Sequence, residues 1–90
     1  MSRLQKTARA AIAKWGMVEQ ICQVQEECGE TVAAINQYRR RRISIKQLAS
    51  EAADLIIGGE QLRQIVNDEG GDVESAVDAK LTRLEGRIDG

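Results

Sequence analysis

Apolar side chains recur along this chain at intervals of three and four residues, and nowhere in a strand-like alternation of useful length. That spacing follows the turn of an α-helix, so apolar residues fall on one face. Ser2-Arg3-Leu4-Gln5 and Ser44-Ile45-Lys46-Gln47 each read as a capping box. In that motif the serine oxygen and the glutamine oxygen accept from each other's backbone N–H groups at a helix start. The first box opens a short helix from residue 3 to Trp15, with Gly16 as a stop or kink. A second helix is expected from Met17 to about Arg40. The second box opens a third helix reaching about Asn67. Gly70-Gly71 then breaks the chain, and Asp72 caps a fourth helix ending near Ile88. Proline, the strongest helix breaker, is absent from all 90 residues.

Three of these helices carry an apolar stripe. On the second it is Met17, Ile21, Val24, Cys28, Val32 and Ile35. On the third it is Ile45, Leu48, Ala52, Leu55, Leu62 and Val66, and on the fourth Val73, Val77, Leu81, Leu84 and Ile88. The expected fold is all-α, a small bundle of about four helices forming a single domain over residues 1–90. Trp15 and Tyr38 are the only aromatic residues. A chain this small with so thin a core gains most from association, so a homodimer or homotetramer is expected. Gly58-Gly59 inside the third helix reads either as a bend or as a point of close approach by another helix, across a subunit interface for example.

Composition excludes several kinds of chemistry. Histidine is absent, which removes imidazole catalysis and His-rich zinc sites. Cys22 and Cys28 fall on opposite sides of one helix and cannot pair locally; two isolated thiols fit a reducing, cytoplasmic setting. No apolar run approaches a membrane span and no signal-peptide core is present, so no membrane partner is expected. The formal net charge is −1, and no overall basic field draws in nucleic acid. Arg39 to Arg42 read as a solvated run complementing the dipole of the second helix, with nucleic-acid contact the lesser alternative. Any metal would be bound mainly by carboxylate oxygen, which points to magnesium or manganese.

The carboxylates have a pattern. Glu26, Glu27 and Glu30 crowd one sector of the second helix, and Glu51 and Asp54 stand three apart on the third. Taken alone, the first group is as readily a solvated acidic face. Glu51, however, projects beside Leu48 and Leu55, at the edge of the face expected to be buried. A carboxylate there is costly unless paired with an arginine or bound to metal. Two such pairs on antiparallel neighbours would make a compact cluster suited to magnesium. The fourth helix has the opposite anomaly. Lys80 falls in the apolar sector with Arg83 and Arg87 along the same edge; either its stem snorkels or its charge reaches phosphate.

Glu26-Glu27-x-x-Glu30 followed about 20 residues later by Glu51-x-x-Asp54 resembles the EExxE…ExxD signature of the MazG-like nucleoside triphosphate pyrophosphohydrolases. The likeness runs through most of the chain. Lys14-Trp15-Gly16 with Gln20 ahead of the motif, and Lys80-Leu81-x-Arg83-Leu84-x-x-Arg87-Ile88 after it, are similar to the flanks of short phage and bacterial members. The resemblance implies a hydrolase that converts a nucleoside or deoxynucleoside triphosphate to the monophosphate and pyrophosphate. It implies magnesium on Glu27, Glu30, Glu51 and Asp54, with Glu26 or Glu27 activating water. Lys80, Arg83 and Arg87 would hold phosphate, and the pocket would be completed across a dimer interface. Trp15 is either a hydrophobic anchor at the helix junction or a stacking surface for the base, with Gln20 and Gln23 as hydrogen-bonding partners. The rival expectations are a non-catalytic helical dimerisation or regulatory module and a nucleotide sensor with negligible turnover.

Overall fold

The computed structural model describes residues 1–90, in four α-helices and no strand. These are α1 (Arg3–Trp15), α2 (Met17–Arg39), α3 (Ile45–Asp68) and α4 (Val73–Asp89). Both capping boxes form: Ser2 and Gln5, and Ser44 and Gln47, exchange backbone-to-side-chain bonds of 2.8 and 3.1 Å. Asp72 caps α4 by accepting from the Ser75 N–H. The helix starts therefore come from local chemistry.

The ends of α2 and α3 use one device with different residues. In each, the second N–H past the last turn reaches back to a carbonyl five residues earlier: Arg42 to Gln37 and Gly71 to Val66, both 2.9 Å. The residue before it occupies the left-handed region, Gly70 at φ 93° in one case and Arg41 at φ 59° in the other. Glycine adopts that conformation freely, whereas a side chain there costs roughly 1–2 kcal/mol. The α2–α3 turn keeps an arginine regardless.

The packing differs from the stripe reading. On α2 the buried residues are Gln20, Val24, Thr31 and Ala34, and on α3 Gly58, Gln61, Gln64 and Ile65. Of the expected stripes, Met17, Ile21, Cys28, Val32 and Ile35 on α2 are exposed, as are Ile45, Ala52, Leu55, Leu62 and Val66 on α3. The reason is the closeness of the helices. Small residues let backbones approach, and Ala8, Ala34 and Gly58 lie among the nine buried positions. No large side chain is fully buried. Gln20 against Gln61 and Val24 against Gly58 fix α2 and α3 as antiparallel neighbours.

Polar contacts hold α1 and α4 to α3. Arg9 clasps Asp68 with bonds of 2.6 and 3.1 Å, and Gln64 donates to the Gln5 carbonyl. Glu74, in the first turn of α4, accepts from Asn67 and Arg63, and Arg63 also grips Glu60. Beyond that turn α4 stands clear: every residue from Glu74 to Gly90 is exposed, and the helix touches neither α1 nor α2. Val77, Leu81, Leu84 and Ile88 thus form an uncovered apolar stripe, with only Val73 half-buried.

The dimensions agree. The radius of gyration is 15.4 Å, against about 12 Å for a compact chain of this length. The accessible surface is 6916 Å² for 9.9 kDa, where a compact monomer of that mass exposes about 5200 Å².

The α4 anchor has a pH dependence of known sign. The Asn67 amide, with Arg63 after it, holds the Glu74 carboxyl below its ordinary range, and Arg63 does the same to Glu60. A carboxylate with a depressed folded-state pKa stabilises fully above its unfolded value, about 4.3 for glutamate, and stops doing so as pH falls through the lower folded value. Amide exchange in α4 should therefore be constant from pH 7 to 5, after correction for intrinsic rates, and accelerate below about pH 4. Glu74→Gln should reduce that acceleration, leaving the part that comes from the Asp72 cap and Glu60.

Candidate functional site

The packed seam between α2 and α3 is where the acids lie. Glu27, Glu51 and Asp54 are half-buried, while Glu26 and Glu30 are exposed. Glu27 Oε2 and Glu51 Oε2 are both buried without any hydrogen-bond partner. Neither acid joins an ion pair, so the arginine that a structural role would require is missing. A buried, unpartnered carboxylate oxygen costs at least 1–3 kcal/mol, so something else must compensate it.

Gly58 explains how Glu27 fits there. A β-carbon at that position would stand 3.1 Å from Glu27 Oε2 and 3.6 Å from the Val24 methyls. The glycine thus makes room for a carboxylate, and the close approach is between α2 and α3 of one chain. α3 continues through this point as one unbroken helix. Gly59 faces open space. The two glycines should separate cleanly on mutation. Gly59→Ala should raise stability by up to about 1 kcal/mol through helix propensity. Gly58→Ala gains the same propensity but must displace the Glu27 carboxylate, so its stabilisation should fall short of that of Gly59→Ala. Equal melting temperatures in the two variants would show that Glu27 does not need the space Gly58 leaves.

Two clefts flank the seam. One, of about 430 Å³, is lined by Trp15, Gln20, Gln23, Glu27, Ile57 and Gln61, among others. Trp15 stands on its rim with 58% of its surface exposed and Lys14 Nζ 5.3 Å from its ring centroid. Gln61 Nε2 donates to Gln20 Oε1 at 2.6 Å on the cleft floor, and Gln23 donates to Glu27 Oε1 at 3.3 Å. The other cleft, of about 410 Å³, brings Glu30 and Glu51 together with Gln47 and Ser50. Of the seven expected residues of α2 and α3, Gln20, Gln23 and Glu27 line the first cleft with Trp15, Glu30 and Glu51 line the second, and Glu26 and Asp54 line neither.

Two features differ from expectation. No three acidic side chains are drawn around a common point, so the four expected ligands do not stand as a closed metal cage. The donors are hard oxygens and two are orphaned, which suits a divalent ion such as magnesium once the side chains rotate toward it. Lys80, Arg83 and Arg87 are exposed on the free length of α4, which does not reach α2. Within one chain they are not joined to the acids.

Gln61, on the floor of the first cleft, is not among the residues expected there. Its signal was the spacing Asp54, Gly58, Gln61, Ile65, which places it on the same face as the acid. Comparison with protein-family models, curated proteins and solved structures returns no match. No helix is long and apolar enough to cross a membrane.

Proposed function

We propose that this protein is a magnesium-dependent nucleoside triphosphate pyrophosphohydrolase acting as a homodimer or homotetramer. The observation that carries the reading is the pair of buried, partnerless carboxylate oxygens of Glu27 and Glu51 at the centre of the α2–α3 seam. Folded proteins satisfy nearly all such atoms. The chain's third orphan, Gln64 Oε1, is a neutral amide away from those acids, whereas two orphaned carboxylate oxygens on one seam support a bound cation. Glu27, Glu30, Glu51 and Asp54 would hold magnesium or manganese, which supplies charge neutralisation for a phosphate tail and lowers the pKa of an attacking water. The cleft beside them has the shape and polarity for a base: the Trp15 ring at its rim and the Gln20, Gln23 and Gln61 amides on its floor.

The chemistry assigned to the chain is proton transfer and charge placement. Glu26, exposed and free of other duties, or Glu27 accepts the proton from water as it attacks the α-phosphorus. The bond to the bridging oxygen breaks and pyrophosphate leaves, its charge met by Lys80, Arg83 and Arg87.

Those three residues would come from another copy. The surface beyond that of a compact monomer is roughly 1700 Å², within the range that an obligate dimer buries per subunit. The free stripe of α4 supplies apolar area for it, and burying Val77, Leu81 and Leu84 against a partner would carry the adjacent Lys80 with them. The same stripe also supports the rival reading, a non-catalytic helical dimerisation module.

One assay separates the two. With magnesium present, the enzyme releases pyrophosphate and a nucleoside monophosphate from a panel of nucleoside triphosphates, with no orthophosphate. A module releases neither. Tight magnesium-dependent binding without turnover would identify a sensor.

A further inference from the structure

Between Glu30 and Glu51 lie twenty residues with no acid and five cations: Arg39, Arg40, Arg41, Arg42 and Lys46. They surround the turn joining α2 to α3. All five are exposed, and none takes part in the chain's three ion pairs. The rest of the chain holds eight cations against fourteen acids. The net charge of −1 therefore conceals a molecule with a cationic tip on an acidic body. Helix-dipole complementation accounts for one or two charges in a last turn, not for a cluster that continues through the turn and into the next helix.

The tip also has shape. Arg39 and Arg41 share a cleft of about 480 Å³ with Tyr38 and Ile43, and Tyr38 is 40% exposed. Arg41 takes its place there from the left-handed position at which α3's equivalent turn uses Gly70. Four of the five cations are arginines, whose planar forks match phosphate oxygens and stack on bases. Guanidinium groups beside an exposed aromatic ring are the elements that proteins use on unpaired strands, where each base offers a face to stack.

We infer that the α2–α3 tip binds the phosphate backbone of single-stranded nucleic acid, with Tyr38 as the stacking surface. The site adjoins the cleft that holds Glu30 and Glu51, with Ile43 lining both, but contains no acid and needs no metal. A membrane surface would use the same charges but has no use for the Tyr38 cleft.

The test is fluorescence anisotropy of a labelled 12-nucleotide single-stranded DNA with the full chain in EDTA. If the four arginines neutralise four phosphates, affinity should fall about 50-fold between 50 and 200 mM salt. Arg41→Gly removes one charge and relaxes the turn, so it should flatten the logarithmic salt slope by about 0.7 without loss of fold. Replacing all four arginines by glutamine should abolish binding, and Tyr38→Leu should weaken it at least about fivefold. A salt slope unchanged in Arg41→Gly overturns the proposal. So does tighter binding to phosphatidylserine vesicles than to the oligonucleotide, or affinity for duplex that exceeds single strand and ignores Tyr38→Leu.

Discussion

Glu51→Gln should abolish pyrophosphate release and, in EDTA, raise the midpoint of thermal unfolding. The substitution keeps the shape of the side chain and removes its charge. In the folded chain Glu51 Oε2 is buried with no partner, and an unsatisfied buried polar atom costs about 1–3 kcal/mol, more when charged. Lifting even 1 kcal/mol of that cost moves the midpoint of a domain this size up by about 4–8 °C. Magnesium should reverse the order. It should stabilise the wild type by binding only the folded form and leave the variant unmoved. Helicity by circular dichroism should match in both. Full turnover in Glu51→Gln, or turnover unaffected by EDTA, would take the metal role away from this residue.

Helix boundaries were legible to within a residue or so because their causes are local. Ser2 with Gln5, Ser44 with Gln47, and Gly70 each act within one turn. The acids were legible because a carboxylate at the edge of an apolar sector is anomalous wherever the helix packs. The packed face itself was not. The stripe of large apolar residues on α2 points to one face as the core, yet the chain buries Gln20, Thr31 and Ala34 beside Val24 and leaves Ile21 and Ile35 outside. Periodicity identifies a face that avoids water without saying which neighbour covers it. Here small residues fill the close seam within the chain, and the large ones remain exposed. The seam then carries Glu27, Glu51 and Asp54 at its middle, which an ordinary core would exclude.

The position of α4 follows the same logic. Its capping residue, Asp72, and its stripe were visible in the sequence, but its departure from the body was not. Nothing in Val77, Leu81, Leu84 and Ile88 distinguishes a helix that folds back from one that reaches to another subunit. The pin of Arg63 and Asn67 on Glu74 fixes where α4 starts, and the remaining turns are free of the other helices.

Lys80 provides the decisive experiment on that geometry. If it only snorkels, its stem matters and its charge does not, and Lys80→Met preserves everything. If it meets the phosphate tail, the substitution removes a charge-assisted bond worth about 1.5–3 kcal/mol, and turnover should fall by one to two orders of magnitude. The loss by itself does not say whose lysine serves which site. Mixing does. In a dimer that joins a Glu51→Gln chain to a Lys80→Met chain, one shared site receives both defects and the other receives neither. Random reassortment makes half the dimers mixed, so about a quarter of wild-type activity should return from two nearly inactive parents in a two-fold dimer. If each site is built within one chain, the mixed dimer stays as poor as its parents. Restored turnover would place Lys80 across an interface from Glu51, an arrangement open to the free length of α4. Failure to restore it, with mixed dimers verified by mass, would put Lys80 and Glu51 in a site built within one chain.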